Sequence, residues 1–354
     1  MMDIQISPDE TDWNQFIESN SGPIFNRNEW SAICSIYGHK SYNMAVINDS
    51  GDICACLPLI HLKSAIFGNT LVSMPFSEHG SIVIDESIND RNQAVDLLRG
   101  KAQELAQQKG VDYLCLRGSR YPSSKEFIRL SRYVTFVVET NSSMEDIWDS
   151  FETRFRTNIR NSRDHSLTTQ VVENEASNFS HDPVSSYYNL HLRTMRDLGS
   201  PPHAKSFFVN IWRKLGKIDG AIFIFVIYDG IPINAALAFP YGDTVHYWGA
   251  VSKPNYRHLN GGSLLLWKCI KWAQNNGYQQ VDLGRTRPGT GVYKFKSGTN
   301  GQEIYLDDLF YFPEEISMPP DPEDSKFTPL IRIWRQLPLS VTEALGPHLR
   351  GNIP

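Results

Sequence analysis

Residues 106–116 read AQQKGVDYLCL, and residues 273–283 read AQNNGYQQVDL. Both open on Ala-Gln, carry glycine at the fifth place and end on leucine. In each, the residues upstream have helical period. Ala94, Leu98, Ala102, Leu105 and Ala106 fall on one face of a helix expected over 90–109. Leu265, Leu266, Ile270 and Ala273 do the same over 260–276. Glycine then stops the helix, and a short apolar run follows as a strand. Before each helix the period shortens to two. Strands are expected at 42–47, 53–61, 70–74 and 81–84 in the first half, and at 221–228, 233–239 and 245–251 in the second. Asp49-Ser50-Gly51, Asp229-Gly230 and Tyr241-Gly242-Asp243 make the turns. A meander, one helix and a returning strand thus occur twice. This predicts an α/β (α+β) chain of two tandem units, each a mixed, largely antiparallel sheet flanked by helices.

A length of 354 residues fits about two domains. The first is expected over 1–140 and the second over 141–312. Residues 313–354 form a tail whose eight prolines exclude one continuous element. The tail has room for two short amphipathic helices, one opening at Thr328-Pro329 and one at the capping pattern Ser340-x-x-Glu343. With Lys326, Arg332, Arg335 and Arg350 beside its apolar residues, it would lie on a membrane surface or fill a groove of its own domain. The shortness of the helices favours the groove.

The formal net charge of −5 argues against a duplex-DNA binder. No apolar run is long enough to span a membrane. The opening MMDIQISPDETDW lacks a basic stretch followed by an apolar core, so a cytoplasmic location is expected. Five scattered cysteines fit reduced thiols. Cys54-x-Cys56 lacks further ligands at matching spacing, so no metal is expected.

Four segments carry candidate chemistry. Arg156, Asn158, Arg160 and Arg163 lie in FETRFRTNIRNSRDH (151–165), where the three guanidiniums share a helical face suited to phosphate. A solvated basic face fits that pattern as well. In HLRTMRDLGSPPH (191–203) a forced turn holds Arg196, Asp197 and His203 together; alternatively the first two pair with each other. Asn260-Gly261-Gly262 starts a helix, where backbone N–H groups can meet a phosphate. Finally, a strand ends in DLGRTRPGTGVYKFK (282–296), carrying Arg285 and delivering Tyr293, Phe295 and Lys296. Read as extended chain, it puts Tyr293 and Phe295 on one face and the lysines on the other. Lys296 would stabilise an oxyanion, and Tyr293 would donate a proton to a leaving group.

Taken in order, these segments resemble the FemAB-type transferases of the GNAT superfamily. The likeness is nearest to the FemAB-related proteins of exosortase (PEP-CTERM) systems, with their BioF2-like acetyltransferase domain. LVSMPFSEHGSI, RTNIRNS, HLRTMRDLGSPPH, GVYKFK and the tail IRIWRQLPLSVTEALGP carry it. The resemblance implies two tandem GNAT-like domains and an acyl- or aminoacyltransferase acting on an amine or hydroxyl. The acceptor would be a small-molecule or lipid-linked precursor of the cell envelope or of an exopolysaccharide. It assigns Lys296 to the tetrahedral intermediate, Phe295 to the site lining and Arg160 to the acceptor. No bound cofactor is implied. The donor is a co-substrate, either aminoacyl-tRNA, held by its acceptor end, or acyl-CoA, held at Asn260–Gly262. In that loop Asn260 stands where the GNAT pyrophosphate loop has its first glycine. An acyl-CoA-dependent N-acyltransferase and a non-catalytic precursor binder are the other readings. A peripheral location at the inner face of the membrane would follow from a membrane-bound tail.

Overall fold

Gly110 (φ 54°) and Gly277 (φ 80°) sit in the left-handed region, where a residue with a Cβ is strained. Each turns the chain from a long helix into a strand parallel to the last strand of a meander. A computed structural model describes residues 2–64, 68–121, 125–314, 321 and 327–353. The chain divides into one unit of residues 1–132, 306–321 and 351–354 and another of 133–305 and 322–350.

In the first unit, β1 (Asp3–Ile6), α1 (Glu10–Ser19) and α2 (Asn28–Cys34) precede the antiparallel β2 (Lys40–Ile47), β3 (Ile53–Ser64) and β4 (Gly68–Val72), with β5 (Val83–Ile84) beside β3. The helix α3 (Arg91–Lys109) leads to β6 (Tyr113–Leu116), which sets Thr70 parallel to Tyr113. The core gathers Leu98, Ala102 and Ala106 of α3 against Leu57, Leu59 and Leu71. Arg27 holds the cap position of α2, and Asn28 is its first residue. The next strand, β7 (Ile128–Glu139), does not pair with β6.

The second unit has α4 (Met144–Ser150), α5 (Thr153–Asp164), β8 (Thr168–Val172), α6 (Pro183–Leu198) and α7 (Lys205–Leu215). The meander β9 (Ile222–Tyr228), β10 (Ile231–Tyr241) and β11 (Thr244–Ser252) follows, then α8 (Gly261–Asn275) and β12 (Gln280–Asp282). Its sheet runs β8-β9-β10-β11-β12-β7, and only the β11–β12 junction is parallel. α8 is buried on most of its surface because α5 covers it with Phe155 and Ile159. Each large apolar side chain buried there contributes about 1.5–3 kcal/mol.

After β12 come α9 (Gly291–Ser297) and β13 (Gln302–Tyr311). β13 ends in the first unit, setting Leu309 opposite Leu116, while β7 ends in the second, setting Val138 opposite Val281. Each unit is therefore completed by a strand from the far half of the sequence. The units change at 132/133 and 305/306, inside these strands.

The tail forms α10 (Thr328–Gln336) and α11 (Leu339–Arg350), both packed on α6. Arg335 donates to the Leu198 carbonyl at 3.2 Å. A Cβ on Gly199 would stand 2.4 Å from Ile331, and one on Gly346 would stand 2.3 Å from Pro202. The capping box is not formed: α11 starts at Leu339, so Ser340 is already helical, and the helix continues through Pro347. Lys326 lies outside the described residues. Leu330, Ile333 and Leu345 remain exposed. Among the described residues no helix is long and apolar enough to cross a membrane.

Beneath the tail two histidines are fully enclosed. The His203 N–H donates to His191 Nε2 at 3.2 Å, and the His203 ring stacks on Phe207 at 4.0 Å. Burial, with the Arg350 charge adding to it, pushes His191 down to about 3. The unfolded chain takes up this proton near pH 6.5 and the folded chain does not, so stability is full above that pH and falls as pH drops toward 3. Urea unfolding at pH 7.5 and 5.0 tests this. Wild type should lose on the order of 2 kcal/mol more than His191→Gln between those values; equal losses would contradict it.

Candidate functional site

β11 and β12 pair at three positions, ending with His246 beside Asp282. Beyond that point each strand follows its other neighbour. Residues 283–286 stay with β7, where the Leu283 N–H donates to the Phe136 carbonyl at 2.9 Å and Thr286 bridges Val134. β11 stays with β10 and bulges at Trp248, since Tyr247 faces Ala238 and Gly249 faces Leu237. The sheet thus forks. An opening between parallel strands offers backbone donors and acceptors to an extended ligand.

The closed end of the fork is polar. Asp282 is 5% exposed. Its Oδ1 accepts hydrogen bonds from the Thr135 hydroxyl and, at 2.8 Å, from the Gly284 N–H. Its Oδ2 lies 3.6 Å from His246 Nδ1. A histidine beside a buried carboxylate can hold or move a proton.

Lys296, on α9, reaches the loop that follows Asp282. Its Nζ donates to the Gly284 carbonyl at 2.8 Å and to the Arg285 carbonyl at 3.2 Å, and the residue is 9% exposed. Asp282 and Lys296 therefore grip the Gly284 residue from its two sides. Gly284 has φ 76°, which a larger residue would adopt only under strain.

The segment carrying Lys296 is a helix, not the extended chain expected. Thr290 caps it, its hydroxyl accepting from the Tyr293 N–H at 3.2 Å. Helical period separates Phe295 from Tyr293 and places Tyr293 and Lys296 one turn apart. Phe295 packs on Phe155 of α5 at 5.5 Å. The Tyr293 hydroxyl donates to the Glu303 carboxylate at 2.8 Å, which holds the phenol above its ordinary range. Its ring meets Phe136. The Arg285 guanidinium lies over the Tyr133 ring at 4.7 Å.

The other expected residues fall into four places. On α5, Arg156 pairs with Asp149 at 2.8 Å, Asn158 is half-buried, and Arg160 lies over Trp148 at 5.4 Å. On α6, Asp197 Oδ1 accepts from Arg196 Nε and Nη2 at 3.0 and 2.8 Å, and both residues line a cleft. His203 is in the core beneath the tail, its ring 6.3 Å from that of Trp248 on β11, and it is not among the residues that line the cleft. Asn260 (φ 57°) precedes α8, Gly261 lies too close to the Asn234 amide for any side chain, and Gly262 has open space around it. Thr135 and His246 escaped the sequence reading. They reach Asp282 from β7 and β11, far along the chain, and no spacing rule points to them.

A family model described as an acetyltransferase (GNAT) domain matches residues 153–297. No curated protein matches the sequence. Among solved structures, the chain is similar to FemX, at 14% identity and a TM-score of 0.66, covering 94% of this chain and all (100%) of that one. It is similar to the C-terminal domain of a putative lysylphosphatidylglycerol synthetase from Agrobacterium fabrum, at 10% identity and a TM-score of 0.56, covering 85% and 90%. A tandem GNAT protein from the clavulanic acid biosynthesis pathway gives 10% identity and a TM-score of 0.51, covering 89% and 100%. Residues 153–297 match a GNAT acetyltransferase domain, and the chain shares its fold with FemX and with a tandem GNAT protein.

Proposed function

We propose that this protein transfers an activated acyl or aminoacyl group to an amine, of the FemAB type, with a cell-envelope or exopolysaccharide precursor as acceptor. The carrying observation is Lys296, a buried ammonium fixed at the closed end of the fork by two carbonyls. The acyl carbonyl would lie in the fork with its oxygen toward Lys296. The acceptor nitrogen attacks, the C–N bond forms, and the bond to the donor's oxygen or sulfur breaks. The amine's proton passes by way of His246, oriented by Asp282, to the leaving group. The GNAT match over 153–297 supports acyl transfer. The likeness to a domain named for lysylphosphatidylglycerol supports an aminoacyl group and an envelope acceptor. Arg160 on its exposed helix face would meet the acceptor.

Removing one preorganised oxyanion partner lowers turnover about 10²–10³-fold. Lys296→Ala should do so in a transfer assay while its circular dichroism and thermal midpoint stay near wild type. Turnover close to wild type in the folded variant would contradict the role.

The open space beside Gly262 favours a second reading, in which the donor is acyl-CoA with its pyrophosphate at the start of α8. A side chain there meets no protein atom but fills the ligand's place. Gly262→Leu should fold normally and weaken calorimetric CoA binding at least about tenfold, near 1.4 kcal/mol. Unchanged binding would turn the donor toward aminoacyl-tRNA.

A further inference from the structure

A cleft of about 740 Å³ opens between α6 and the chain that leaves β11. Three side chains bring full positive charge to its lining, namely Arg193, Arg196 and Lys253, against one carboxylate, Asp197. That carboxylate is already engaged, since its Oδ1 takes both the Nε and Nη2 protons of Arg196. Among the described residues no carboxylate pairs with Arg193 or Lys253. Burial, with the Arg193 charge second, lowers the affinity of Lys253 for its proton. Two cations facing one cavity repel in the empty protein, and that cost becomes a gain when an anion enters. Arginine supplies a planar fork and lysine a point charge, a pairing suited to phosphate. Ser186, Asn189 and Asn255 add neutral hydrogen-bonding groups to the same wall.

Lys253 follows His246 by seven residues along β11 and its end, which is roughly 20 Å of strand. We propose that this cleft binds the phosphate or diphosphate group of a long substrate whose reacting end lies at the fork. The proposal rests on the acyl-transfer reading for what happens at the fork, but not for the binding itself. Coenzyme A and a phosphorylated sugar or nucleotide-linked acceptor share this chemistry.

Inorganic pyrophosphate is the probe. Calorimetry at low salt should show saturable binding to the wild-type protein. The double variant Arg193→Ala/Lys253→Met should weaken it at least about tenfold, as expected for charge-assisted hydrogen bonds. Lys296→Ala should bind pyrophosphate as wild type does, so loss of the transfer reading and loss of the cleft are separable. In turnover assays the double variant should raise the KM of the phosphate-bearing substrate about tenfold and leave kcat within about twofold. Pyrophosphate should compete with that substrate, and whether this is donor or acceptor identifies the phosphate's source. The proposal is overturned by no pyrophosphate binding, by equal binding in the double variant, or by competition with neither substrate.

Discussion

Gly284 is the residue on which the site depends. Its N–H is held by the Asp282 carboxylate and its carbonyl by the Lys296 ammonium. Charged groups make the stronger hydrogen bonds, and here both act on a loop that must turn through a left-handed residue. The grip fixes the point where β12 leaves β11. It also leaves Lys296 and the His246–Asp282 pair at the same end of the opening.

The repeated pattern of meander, helix and strand supplies a second constraint. A helix crossover returns the chain parallel to the last strand of the meander, as Tyr113 does beside Thr70 and Gln280 beside Thr244. Each returning strand then has a free side. β13 fills it in the first unit and β7 in the second, so neither half of the sequence closes its own sheet. Chain order alone would pair β6 with β7. The eleven-residue link between them, 117–127, imposes no hairpin, and the sequence carries no signal for the exchange.

Local elements were legible where one rule decided them. The apolar face of α8 and the glycine after it marked both the helix and the turn. GVYKFK was misread because four of its residues, Tyr293 to Lys296, alternate as a strand would, while the Thr290 hydroxyl, lying just outside, starts a helix. The arginines of α5 were legible as one face. Their partners Asp149 and Trp148 lie on α4, so the face alone did not say which guanidinium is committed and which is exposed. Arg196 and Asp197 pair as adjacent residues can, but the unmatched Arg193 and Lys253 nearby belong to elements that only the fold brings to one cleft. His246 and Asp282 meet for the same reason.

The central claim is that the fork between β11 and residues 283–286 receives the acyl donor. Hydrogen–deuterium exchange, followed by mass spectrometry with saturating acyl-CoA and separately with aminoacyl-tRNA, tests it most directly. With the true donor, peptides spanning 245–252 and 283–297 should gain protection, because their backbone groups become paired or covered. Protection gained only elsewhere in the chain, with both of these segments exchanging as in the free protein, would contradict the account.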